Sequence, residues 1–139
     1  MTRLLCLAGL LLWQSLAQAQ QGDASESGAS RPSQDTGIGY ASVQEAYDAL
    51  SADDSALRSS YEGWTVFNQK LDGQYIIWTF TPEEHPVHPS VVRRAIVSRD
   101  GEVQIGMDVL CYANPLDCDE LVVQFRQINE NLKARLENQ

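Results

Sequence analysis

The sequence predicts an α+β domain: a short N-terminal helix, a four-stranded antiparallel sheet, and a C-terminal helix packed on one sheet face. Three observations carry that reading. Asp72-Gly73 and Asp100-Gly101 each separate two runs of alternating apolar and polar residues. Residues 115–136 switch from a period of two to a helical period. Ser42-Val43-Gln44-Glu45 has the form of a capping box.

Taken in order, the first helix is expected over 43–51. Val43, Ala46, Tyr47 and Leu50 follow the capping box at helical spacing, and Asp53-Asp54-Ser55 ends the run. Four strands are expected next: Trp64 to Leu71, Gln74 to Thr81, Val91 to Arg99 and Glu102 to Cys111. Asp-Gly between such runs marks a two-residue hairpin, because these residues accept the positive φ that a type I′ turn requires. Val103, Ile105, Met107 and Val109 share one face of the last strand, and Ile76, Trp78 and Phe80 share one face of the second. The pattern is that of half-buried strands with one wet side. Asn114 then caps a helix with Pro115 at its first position. Leu121, Phe125, Ile128, Leu132 and Leu136 line one stripe of it, which is expected to cover the apolar face of the sheet.

The folded unit is expected over 42–139 as one domain. Ahead of it, residues 20–41 are rich in Ser, Gly, Gln and Asp, with one Ile and one Tyr. Such a segment buries too little apolar surface to offset its ordering entropy and reads as a flexible linker. Residues 1–19 read as an export signal: Arg3, an apolar run from Leu4 to Trp13, and Ala17-Gln18-Ala19 as a peptidase site. The apolar run is too short to span a bilayer, which takes about 20 residues. Cleavage after Ala19 removes Cys6 and leaves Cys111 and Cys118 as a pair suited to an oxidising compartment. A bridge between them would stabilise by about 2.5 kcal/mol on the chain-entropy model. A periplasmic or secreted protein is expected, with no stable membrane insertion after cleavage.

The charge balance excludes some functions. Ten Lys+Arg against nineteen Asp+Glu give a net charge of −9, with no basic block to follow a nucleic-acid backbone. Enzyme signatures are missing too: no Gly-rich phosphate loop, no Gly-x-Ser-x-Gly, no His-Glu-x-x-His. Cys-x6-Cys is not the Cys-x2-Cys of a thiol oxidoreductase. No catalytic residue and no required cofactor is expected.

One segment stands apart. Between the hairpins lies Thr81-Pro82-Glu83-Glu84-His85-Pro86-Val87-His88-Pro89-Ser90, which holds both histidines of the chain. Imidazole and carboxylate suit zinc or copper, so His85, His88 and Glu84 (or Glu83) form a candidate metal site. The plainer reading is a stiff Pro-rich crossover, extended by its prolines, in which positions i and i+3 point to different sides. Of the adjacent Arg93 and Arg94, one is expected on the wet side beside Glu102 or Asp108. Trp64, Trp78, Tyr75 and Phe80 read as core, and Tyr75 with Ile77 would form an apolar patch if the helix leaves their face open.

The run Trp78 to Pro82, its continuation His85 to Arg94, then Leu110-Cys111, Cys118 to Leu121, Phe125 and Ile128-Asn129 resemble a family of small exported proteins of gammaproteobacteria, typical of pseudomonads. The resemblance covers roughly residues 40–132. It implies envelope localisation and paired cysteines, and it brings no catalytic residue. The expected function is a non-enzymatic binding or accessory protein of the cell envelope, with an envelope protein or small ligand as partner. The alternatives are a periplasmic metal-binding protein using the His85/His88 loop, and a small acidic hydrolase inhibitor.

Overall fold

The computed structural model describes residues 37–139. The expected export signal and most of the expected linker lie outside the described residues. The order is α1 (Val43–Ala52), β1 (Leu57–Tyr61), β2 (Trp64–Leu71), β3 (Gln74–Phe80), β4 (Ser90–Arg99), β5 (Glu102–Cys111) and α2 (Pro115–Glu137). The strands form an antiparallel meander, β1-β2-β3-β4-β5.

The sheet therefore has five strands, not four. The additional one, β1, pairs with β2 through a hairpin whose turn is Glu62-Gly63. Glu62, Asp72 and Asp100 have φ of 48°, 51° and 54°, each followed by a glycine of φ 77–82°. Two consecutive positive φ values define the type I′ turn whose twist matches that of paired strands.

Register assigns the side chains to two faces. Phe67, Ile76, Trp78, Phe80, Val91 and Leu110 lie on one, and α1 covers it with Val43, Ala46 and Leu50. Ala46 has no exposed surface, so its small side chain lets the helix approach closely. Tyr47 sets its ring edge-on to Phe67 and Phe80, at 5.7 and 5.3 Å between centroids. The Trp78 face is thus roofed by the first helix, whereas the sequence pattern had only the C-terminal helix covering the sheet. The linker boundary also moves. Ile38 is buried in this core and Tyr40 packs on Trp78 at 5.6 Å, so the folded unit begins before residue 42.

The other face carries Val92, Val103, Met107 and Val109, and α2 lies on it. Asn114 Oδ1 accepts from the Asp117 N–H at 3.1 Å to start this helix, with Pro115 in its first turn. Three contacts trace α2 antiparallel to β5: the Cys111–Cys118 disulfide, Asn129 Nδ2 to Met107 Sδ, and the Val103 N–H donating to Glu137. A helix following the last strand covers that side of the sheet and little beyond it. Only Leu121 and Phe125 of the expected stripe are buried, while Leu132 and Leu136 are half-buried and Ile128 is exposed.

Candidate functional site

The 81–90 loop joins β3 to β4 at one end of the sheet. Its ends are tied by the chain itself. The Thr81 N–H donates to the Ser90 carbonyl at 3.1 Å, and the Ser90 N–H donates to Thr81 Oγ1 at 3.0 Å. The buried Ser90 hydroxyl donates to the Val87 carbonyl. Within the loop, the His85 N–H donates to the Pro82 carbonyl and the His88 N–H to the His85 carbonyl. The segment is two successive turns rather than an extended crossover, because these bonds close over three residues each. Val87 is buried against Val92, Leu121 and Phe125 and anchors the loop from below.

This folding sends the two histidines to opposite sides. The His85 ring packs edge-on to Trp64 at 5.0 Å, and Trp64 in turn packs on Phe125, so His85 belongs to the α2 side. Its Nδ1 accepts from the Val87 N–H at 3.3 Å. The His88 Nδ1 donates to the Thr81 carbonyl at 3.0 Å, and the ring lines a cavity on the α1 side. His85, His88 and Glu84 therefore do not converge. Among the described residues, no group of three or more His, Cys, Asp or Glu side chains is placed to hold one metal ion.

The cavity beside His88 has a volume of about 600 Å³. Its walls come from three places: Val43, Gln44 and Tyr47 of α1, Gly63 and Thr65 at the first hairpin, and the loop. Tyr47 and Phe80 supply aromatic surface, and the charged side chains lining it are Glu83 and Glu84. With Nδ1 of His88 donating to the Thr81 carbonyl, Nε2 has no hydrogen-bond partner among the described residues. Two carboxylates and aromatic faces without a lining Lys or Arg suit a cationic group. The α1 wall was not legible from spacing within the loop. The capping box marks where α1 begins, but only the fold places that first turn beside the loop.

The cysteines form a disulfide with Cα atoms 5.9 Å apart, joining the end of β5 to the first turn of α2. Arg93 pairs with Asp108 at 3.1 Å across β4 and β5, with its guanidinium 5.6 Å from the Trp78 ring centroid. No helix among the described residues is long and apolar enough to cross a membrane. Comparison with known protein families, curated proteins and solved structures finds no match.

Proposed function

We propose that this is an exported, non-enzymatic binding protein of the bacterial envelope, akin to the gammaproteobacterial family it resembles, and that it holds a small organic cation in the cavity beside His88. The observation that carries the reading is the cavity's lining: Glu83 and Glu84 are its charged groups, and Tyr47 and Phe80 its aromatic ones. A volume of about 600 Å³ lies within the range of small-molecule sites. An ammonium ion gains there from carboxylates that attract it and from ring faces that tolerate it. The disulfide fits an oxidising compartment.

Titration of the purified protein with spermidine, cadaverine and a neutral diol, followed by amide chemical shifts, tests this. The amines are expected to move Tyr47, Glu84 and His88, and the diol to leave them in place. The Glu83→Gln/Glu84→Gln variant should weaken amine binding about tenfold or more, the loss of two charge-assisted contacts. Equal binding by that variant, or shifts scattered over other acidic surfaces, overturns the reading.

A second reading draws on the loop's rigidity. Thr81 and Ser90 pin its ends, while Glu83, Glu84 and Pro86 stay exposed. Such a loop could block a basic hydrolase. Lysozyme binding at physiological salt, lost on Glu83→Lys/Glu84→Lys, would favour it; no binding across several envelope hydrolases would remove it.

A further inference from the structure

The α2 face of the sheet is only half covered. Five strands spaced about 4.8 Å apart make a surface about 19 Å wide, and one helix about 10 Å across covers half of it. Because α2 follows β5, the uncovered part is β1 with Val66–Lys70 of β2 and Tyr75–Ile77 of β3, while at the loop end Phe125 reaches Trp64 of β2 and Thr79 of β3 is buried. Leu57 and Tyr61 are each 70% exposed there and Tyr75 47%, with Val66 and Ile77 half-buried between them. The register places all five on the α2 side.

The charge of β1 to β4 is unlike that of the rest of the chain, on both faces, since the α1 side carries Arg58, Arg93 and Arg99 and likewise no acid. In a protein of net charge −9, the α2-side positions of β1 to β4 hold no Asp or Glu, and they hold two cations, Lys70 and Arg94. Arg94 is only 8% exposed, and its Nε meets no acceptor among the described residues. Its Nη2 donates to Thr79 Oγ1 at 3.3 Å, so the guanidinium reaches from β4 to the neighbouring β3, on the side of the open part. Phe125 flanks it with its ring centroid 5.3 Å away. A buried guanidinium without a carboxylate is costly to hold, and an incoming anion would offset that cost.

We infer that the open half of this face seats an acidic amphipathic helix from a partner protein, lying beside α2. Its apolar stripe covers Val66, Tyr75 and Ile77, and its carboxylates face Lys70 and Arg94. The available width suits one helix, and Lys70 together with the Arg94 Nε that meets no acceptor among the described residues sets the sign of the partner's charge.

A displayed library of amphipathic helices, ~18 residues long with a randomised polar face, is the probe. Selection on the intact protein is expected to enrich Asp and Glu flanking the apolar stripe. The enriched peptides should bind Ile77→Asp about tenfold or more weakly, the size of effect expected for the centre of an interface. Arg94→Gln and Lys70→Gln should each reduce the acidic preference; Lys70 is exposed, so its variant tests the charge without disturbing the core. Enrichment of basic or neutral peptides overturns the inference, as does no enrichment or equal binding to Ile77→Asp. Self-association of the wild type that Ile77→Asp abolishes also overturns it, since the occupant would then be a second copy.

Discussion

Gly37 lies against the carboxylate of Asp108, so closely that a methyl group on Gly37 would come within 2.7 Å of the Asp108 Cγ. Swinging the carboxylate aside would break its bond to Arg93 Nη1, 3.1 Å away. Asp108 thus joins the entry of the chain to the sheet, one residue before Ile38 enters the core. Gly37→Ala is expected to destabilise by about 1–2 kcal/mol through overpacking. Urea unfolding measures it. Adding Asp108→Ala should make the Gly37 substitution nearly neutral; strict additivity of the two would show that no clash exists.

Asp53 ends α1 and anchors a relay into the core. Gln69 Nε2 donates to Asp53 Oδ2 at 2.6 Å, and Gln69 Oε1 accepts from the buried Trp78 indole at 2.9 Å. The Ser55 hydroxyl and backbone N–H, with Gln69, hold the Asp53 carboxyl below its ordinary 3.8. A carboxyl depressed in the folded state adds stability that is present above the unfolded value and lost as pH falls through the folded one. The urea midpoint is therefore expected to fall as the solution is acidified below about pH 3.8. Asp53→Asn should flatten that limb, and equal slopes for the two proteins would rule the relay out as its source. Gln69→Leu should cost about 1–3 kcal/mol at neutral pH by orphaning the Trp78 N–H.

What the sequence makes legible here are the elements with a local cause. Ser42 and Asn114 cap helices, and Asp72-Gly73 and Asp100-Gly101 turn hairpins, through bonds made within a few residues. β1 escapes because Leu57-Arg58-Ser59-Ser60-Tyr61 is exposed along its whole length, so no burial alternation marks it. Its turn, Glu62-Gly63, carries the same geometry as the other two under a weaker signature. Ile38 and Tyr40 are isolated apolar residues whose burial depends on a sheet formed far along the chain. The histidines escape for the same reason: Val87 and Trp64 decide which side of the loop each one occupies, and α1 and the first hairpin supply the other walls of the cavity.

The Cys111–Cys118 bridge closes a short loop at the point where β5 passes into α2. Cys111→Ser with Cys118→Ser is expected to cost about 2.5 kcal/mol, the entropy of closing an eight-residue loop. Reduction of the wild type should reproduce the shift in urea midpoint. A reduced protein, confirmed by alkylation, that unfolds at the oxidised midpoint would assign the bridge no role in stability.

Arg94 separates a structural demand from a functional one. Burial pulls its guanidinium below the ordinary arginine value, and the Thr79 bond with the Phe125 contact is all that opposes this penalty among the described residues. A methionine fills similar volume without a charge or an orphaned donor. Arg94→Met is therefore expected to raise stability, by on the order of 1 kcal/mol, as replacement of buried charge by apolar side chains often does. The same variant should reduce the preference for acidic helices. A gain in stability on removing Arg94, which stands at the edge of the open part of the face, would mark a local conflict of the kind proteins keep at binding sites. If Arg94→Met instead destabilises, the Thr79 and Phe125 contacts outweigh desolvation, and Arg94 is held by the fold.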